Sequence, residues 1–151
     1  MNTAPIQQEI RKADTSGRIM LLLSLWITLL VVAVMNGYVR EVYVVPSFGR
    51  VAAQVYGVVV LSAVVWLAGA YFARGTRGDG WRAWAGVAAV VWVAMTVGFE
   101  FAFGLYVAGK PLQELMHAYY IWEGELWPLV LLSEAVAPWI MGLRENRAAT
   151  L

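Results

Sequence analysis

The side chains best able to do chemistry are Glu100 and Glu134, because each lies inside an otherwise apolar run. A carboxylate in hydrocarbon costs about 2.5–3.5 kcal/mol on insertion scales, so it is kept where something pairs with it, protonates it or uses it. At about 1.5 Å per helical residue, Glu100 lies about 9 Å below Tyr106, and Glu134 lies about 10 Å into the last apolar run. The two carboxylates are therefore expected at one depth of a membrane protein.

Other polar residues are expected near that depth. Arg40 is the expected counter-ion, since a guanidinium can hold a carboxylate with two hydrogen bonds. Thr96, one helical turn from Glu100, would extend the cluster inward. Its other predicted members are Asn36, Gln54, Tyr56 and His117. Because lipid can satisfy none of these groups, they predict a buried polar cluster or an outward-opening vestibule, with the two glutamates at its base.

The chemistry of such a cluster has three interpretations. A buried Arg–Glu pair that only fixes helix register is favoured over a site for a ligand, cation or proton. Acid–base catalysis by paired carboxylates comes last, because no nucleophile or metal set accompanies them. His117 with Glu114, Glu123 and Glu125 could hold a divalent cation, but this spacing is not diagnostic. The chain has no cysteine and one histidine, so we expect no metal and no cofactor.

Composition indicates the elements that must position these residues. Of 151 residues, 61% are hydrophobic and 14% are charged, against about 25% charged in soluble domains. Apolar runs of membrane-spanning length predict an all-α bundle of four transmembrane helices, up-down-up-down, with a short interfacial helix at about 112–122 before the fourth. The expected spans are about 19–38, 51–73, 84–106 and 127–143, within a domain of residues 18–144. Residues 1–17 and 145–151 are expected to be polar tails.

The distribution of basic residues predicts the orientation. Eight of the eleven lysines and arginines fall on the side that carries both tails and the 74–82 loop, and three fall on the other. This positive-inside bias predicts that both termini are cytoplasmic and that the loops at 39–50 and 109–126 face outward. No basic patch with interleaved aromatic residues suggests nucleic acid.

Small residues at four-residue spacing predict close helix packing. One such stripe is Ala94, Gly98 and Ala102 on the third span, and another is Ala53 and Gly57 on the second. Gly69 and Ala73 repeat the pattern. Whether such stripes pack within one chain or between chains stays open at the level of sequence.

One segment, Thr96–Gly104 (TVGFEFAFG), resembles a group of short bacterial integral membrane proteins whose biochemical function is not established. Tyr119–Trp127, Ala137-Pro138, Leu143-Arg144, Pro46 and Gly49 fit the same group, so the resemblance covers about residues 36–144. It implies four spans and a bacterial inner (plasma) membrane. It also directs attention to Phe99, Glu100, Phe101 and Gly104, and it supplies no substrate.

These observations favour a non-enzymatic, multi-pass membrane protein. Its expected partners are the lipid bilayer and either other membrane subunits or further copies of itself. The main alternative is a small transporter or channel that uses Glu100 and Glu134 for a cation or proton, with Arg40 as gate or counter-charge. The weaker alternative is a membrane enzyme that acts on lipid from the outer face.

Overall fold

The computed structural model describes residues 4–78 and 80–148, with side chains from residue 14 onward. Every regular element in these ranges is helical. The long helices are α1 (Ala4–Val39), α2 (Val45–Gly75), α3 (Trp81–Tyr106) and α5 (Pro128–Ala148). Shorter elements are a π-helical turn (Arg40–Val44), α4 (Leu112–His117) and a 3-10 turn (Ile121–Glu123). The all-α prediction is confirmed.

The chain reverses at Gly49, so α1 and α2 form an antiparallel hairpin. Asn36 near the end of α1 donates to the carbonyl of Gly57 in α2, and Leu21 nearer the start of α1 lies against Gly75 at the end of α2. Gly49 has φ 82° and ψ 171°, a conformation that side-chain-bearing residues rarely adopt. A glycine at the bend therefore lets two long helices follow each other without a loop.

The four long helices alternate in direction around one core. Parallel pairs are α1 with α3 and α2 with α5, whereas α3 and α5 are antiparallel, as are α1 and α2. Trp92 of α3 is fully buried and meets Phe72 of α2 edge to face at 5.7 Å. Its indole nitrogen donates to the carbonyl of Leu22 in α1 at 3.1 Å. The Trp92 side chain thus joins α3 to both α1 and α2. Ala85 and Ala88, on the same helix, are small and buried, which leaves room for close helix packing.

Two helical stretches are long and apolar enough to cross a membrane. They are Asp14–Gly75, which the bend at Gly49 folds in two, and Trp81–Tyr106, with mean hydropathies of 2.5 and 1.8. Only 17% of either apolar window is buried, whereas a core helix of a soluble protein is mostly buried. Helix α5 does not meet these criteria, because the charged residues in its last turns lower its mean hydropathy.

Sequence-based boundaries differ from the structure at three places. The predicted loop at 39–50 is helical, with the π-helical turn and the start of α2 in it, and the helical conformation is interrupted only at Gly49. The predicted tail at residues 1–17 is helical from Ala4, continuous with α1, because helix-favouring residues follow Pro5 in the first turn. Residues 1–3 and 149–151 lie outside the described residues. The predicted interfacial helix ends at His117, and a separate 3-10 turn follows, closed by Gly124 at φ 89°.

Candidate functional site

The best-organised polar group at the end of the bundle is centred on Glu100. Its Oε2 accepts a 2.5 Å hydrogen bond from the Tyr119 hydroxyl and a 2.7 Å hydrogen bond from Trp127 Nε1. The carboxylate is half-buried, and Lys110, the nearest basic residue along the chain, pairs with Glu114 at 2.7 Å instead. Two neutral aromatic donors, not a cation, therefore hold this carboxylate.

The segment at residues 107–127, here called the cap, brings Tyr119 and Trp127 to Glu100. Leu115 of α4 seats on Gly104 of α3, where a Cβ would lie 2.5 Å from the leucine Cδ2. Phe101 and Tyr119 place their ring centroids 5.8 Å apart. Burial, together with the hydrogen bond to Glu100, raises the pKa of the Tyr119 hydroxyl, so this phenol remains a donor at physiological pH.

A second hydrogen-bonded group crosses the bundle at Glu134. Trp26 Nε1 of α1 donates to Thr96 Oγ1 of α3 at 3.1 Å, and that hydroxyl donates to Glu134 Oε1 of α5 at 3.0 Å. Glu134 is 3% exposed, and its Oε2 is buried without a hydrogen-bond partner. A fully buried carboxyl group usually has more hydrogen-bond donors than the single neutral donor found here. Glu134 is thus the least satisfied ionisable group among the described side chains.

The two glutamates belong to different groups, contrary to the single cluster expected from sequence. Glu134 contacts Thr96, and Thr96 lies on α3 about one turn further from the cap than Glu100 does. Glu100 contacts Trp127, which precedes Glu134 by seven residues along the chain. The antiparallel packing of α3 on α5 therefore places Glu134 about one turn, or 5–6 Å, deeper.

Arg40 is not the counter-ion of either glutamate, so that prediction is wrong. Its guanidinium pairs with the neighbouring Glu41 at 2.9 Å, and both side chains are substantially exposed. The stem of Arg40 lies over Gly57 of α2, on the same side of α1 as Asn36 one turn earlier. The notion of a buried arginine–carboxylate pair does not apply to this fold.

The remaining predicted cluster residues divide between α1–α2 packing and the cap. Asn36 Nδ2 donates to the Gly57 carbonyl at 3.2 Å, while its Oδ1 is buried without a partner. Gln54 donates to Glu125 of the cap at 2.6 Å. Tyr56 is half-buried on α2 and hydrogen-bonds to neither Glu100 nor Glu134.

His117 belongs to the cap rather than to the bundle interior. Its Nε2 lies 2.7 Å from Glu123 and its Nδ1 lies 3.8 Å from Glu125, with the imidazole about half exposed. No group of three or more acidic, histidine or cysteine residues in the described part of the chain has the geometry to hold a metal ion. The contacts of His117 with Glu123 and Glu125 hold parts of the cap together, and the hydrogen bond from Gln54 to Glu125 joins the cap to α2.

The small-residue stripes differ in their use. Ala53 and Gly57 are buried against α1, and Gly69 faces Ala137 of α5 so closely that a Cβ would lie 2.9 Å from the alanine Cβ. The stripe of Ala94, Gly98 and Ala102 is exposed, and a Cβ at Gly98 would meet nothing within 4 Å. The second helix thus packs as predicted, whereas the third turns its stripe away from its own bundle.

Sequence reasoning missed the indole and phenol donors. Tyr119 and Trp127 lie in a segment that carries the resemblance, but neither their side chains nor that of Trp26 is predicted from sequence to donate to a glutamate. A tryptophan or tyrosine buried near a carboxylate needs an acceptor for its N–H or O–H. The number of tryptophans, eight, was therefore the available signal.

Comparison with known proteins gives no relative for this arrangement. A scan against family models, a search of curated proteins and a search of solved structures each found no match to the chain. The function has to be argued from the geometry alone.

Proposed function

We propose that this chain is a four-span integral membrane protein that works by association, as a homo-oligomer or as a small subunit of a membrane complex. The observation that carries this proposal is the outward-facing stripe of Ala94, Gly98 and Ala102 on α3. Small residues at this spacing let two helices approach closely in lipid, where packing rather than the hydrophobic effect drives association.

Exposed apolar side chains over the rest of the bundle support the membrane part of the proposal. Large apolar side chains point away from the core on every long helix, including Val31, Val59, Leu67, Val90 and Leu132, each more than half exposed. In water such a surface would exceed the apolar patch of a typical monomer. In a bilayer it is the surface that contacts acyl chains.

The arginine end of the bundle supports an orientation. We define this end by Arg18, Arg74, Arg77, Arg82 and Arg144, which gather where α1 enters the bundle, α2 meets α3 and α5 ends. The positive-inside rule places such an end in the cytoplasm. The proposed location is the bacterial inner membrane, with both termini cytoplasmic and the cap outside.

The test is self-association in a bilayer. Chains labelled with donor and acceptor dyes are mixed in liposomes, and energy transfer is measured against dilution in lipid. Gly98→Leu should abolish transfer, because the added side chain separates the two backbones. Gly37→Leu on α1, where a Cβ also meets nothing within 4 Å, is the matched control. Unchanged transfer for both variants, or no transfer by the unmodified chain together with purification free of other proteins, would reject the proposal.

A second candidate function, proton or cation translocation, is favoured by one observation at Glu134. Its Oε2 is buried without a donor, and Pro138, four residues on, has no N–H to offer the Glu134 backbone carbonyl. Glu134 thus has two oxygen atoms, the side-chain Oε2 and the backbone carbonyl oxygen, that can accept a proton or bind a small cation. Because a bundle of only four helices rarely encloses a pathway alone, transport would use the proposed oligomer. Flux into liposomes that Glu134→Gln abolishes and Glu100→Gln leaves intact would support it, and flux insensitive to Glu134→Gln would eliminate it.

A further inference from the structure

Arg82 and Arg144 are the two arginines of the arginine end that have no carboxylate partner among the described residues. Arg74 and Arg77 both pair with Glu145, at 3.1 and 2.9 Å, and Arg18 pairs with Asp14 at 3.1 Å. No carboxylate among the described residues lies within ion-pair distance of Arg82, whose side chain is exposed. Among the described residues, no carboxylate neutralises its charge.

The guanidinium of Arg82 is nevertheless held in place. It lies over the Trp81 ring, 5.5 Å from the centroid, as a cation–π contact. Trp81 itself is fixed by α5, because it fills the space above Gly142 and meets Trp139 edge to face at 6.3 Å. A guanidinium that uses its face on an indole keeps its N–H edge free, and that edge matches two oxygens of a phosphate.

An apolar groove begins beside this arginine. On α3, Arg82, Gly86, Ala89 and Val93 follow one another at four- and three-residue spacing, so they share one helix face. Trp139 of α5 covers Gly86, with its Cζ2 3.5 Å from where a Cβ would lie. Beyond it opens a groove of about 420 Å³ between α3 and α5. The groove is lined by Ala89, Val90, Val93, Ala94 and Ala135.

We propose that this corner binds one anionic phospholipid, with the phosphate on the Arg82 guanidinium and an acyl chain in the α3–α5 groove. The proposal depends on the membrane location proposed above. Along α3, Ala89 lies about 10 Å from Arg82, a separation suited to the distance between a headgroup phosphate and the upper part of an acyl chain. Trp139, which covers Gly86, stands between the two parts at the level of the glycerol backbone.

Charge and shape together select this occupant. A soluble phosphate would leave the groove unfilled, and a neutral lipid tail would leave the arginine unpaired. A second copy of the chain seated in this groove would oppose Arg82 with its own arginine end, whereas the oligomer contact proposed above centres on Gly98, which lies on nearly the opposite face of α3 from Arg82. An anionic amphiphile satisfies both features at once, and basic sites between helices on the cytoplasmic side are suited to such headgroups.

The experiment is native mass spectrometry of the full chain from mild detergent, with phosphatidylglycerol or phosphatidylcholine added at equal concentration. We expect one retained phosphatidylglycerol in preference to phosphatidylcholine. Arg82→Gln should weaken phosphatidylglycerol retention about fivefold, the effect expected of one interfacial arginine. Arg144→Gln, an equal charge change at the same end on the opposite side of α5 from Ala135, should leave it unchanged.

The groove has its own matched pair of variants. Ala135→Leu fills the groove and should reduce retention of either lipid, whereas Ala63→Leu, at an exposed alanine on α2, should not. Equal retention by the Arg82 and Arg144 variants, or no effect of Ala135→Leu, overturns the lipid site while leaving the membrane proposal intact. If instead the unmodified chain is soluble without detergent and retains no lipid, the membrane proposal itself has failed.

Discussion

Residue by residue, the polar interior of this bundle relies on aromatic and hydroxyl donors. Glu100 takes its hydrogen bonds from a phenol and an indole, and Glu134 takes one from Thr96. Neutral donors can be buried at lower cost than a guanidinium, since a charged partner must itself be desolvated. This explains how two carboxylates can be placed in the bundle without drawing Arg40 inward.

At Glu100 the structure predicts different outcomes for two substitutions. Glu100→Gln keeps an oxygen that can accept from Tyr119 and Trp127, so the free energy of unfolding in detergent should fall little. Glu100→Leu leaves both donors unpaired, and the loss should be about 1–3 kcal/mol for each. If the two variants unfold at the same denaturant concentration, the hydrogen bonds to Glu100 are not what stabilises the cap.

The raised pKa of the Tyr119 hydroxyl predicts a late step in an alkaline titration. Its pKa is raised in the folded protein, so the neutral phenol is favoured by folding; this contribution is complete below about pH 10 and declines as the pH rises above that value. Tyrosinate absorbance of the unmodified chain should therefore include a late step above about pH 10 that belongs to Tyr119. Tyr119→Phe should remove that late step, and its persistence in the variant would contradict the assignment.

Among the helices, glycines decide which faces come together. Gly69 brings α2 against the backbone of Ala137, and Gly104 accepts Leu115 of the cap, whereas Gly98 faces outward. Three glycines in similar apolar surroundings therefore have different roles, and only the packing distinguishes them. The consequence is a close α2–α5 contact and an open face on α3.

A pair of alanine substitutions tests this difference. Gly69→Ala places a methyl group 2.9 Å from Ala137 Cβ and 3.1 Å from its backbone carbon, so it should destabilise the bundle by about 1–3 kcal/mol. Within one chain Gly98→Ala meets open space, so in a detergent that separates the copies it should be neutral or stabilising by up to about 1 kcal/mol, since alanine favours helix. Thermal unfolding in one detergent gives both values. Equal destabilisation would mean that α2 and α5 are not in close contact.

For the molecule as a whole, the alternating helices separate two chemically distinct ends. One end carries the arginines and three indoles, Trp81, Trp84 and Trp139. The other carries the cap, with Glu114, Glu123 and Glu125 against His117 and Lys110. Such polarity is what a bilayer with an anionic inner leaflet would orient.

The absence of cysteine from the sequence allows this orientation to be tested directly. Single substitutions Arg77→Cys and Arg144→Cys should be labelled by a membrane-impermeant maleimide only after inverted vesicles are used, and Glu114→Cys only in intact spheroplasts. Labelling of positions 77 and 114 from the same side would rule out four spans. The cysteine-free chain is the background control.

The amino-acid sequence by itself determined the helices and the points where they reverse, because apolar runs, prolines and glycines act locally. It also indicated that Glu100 and Glu134 would need partners. Only the tertiary structure decided which partners, since these depend on the rotation and relative depth of helices far apart in sequence. Arg40 lies over Gly57 of α2 and pairs with Glu41, and the packing of α3 on α5 placed Thr96 rather than Glu100 beside Glu134. Periodicity identifies a face of a helix, but the closest approach of two backbones determines what that face meets.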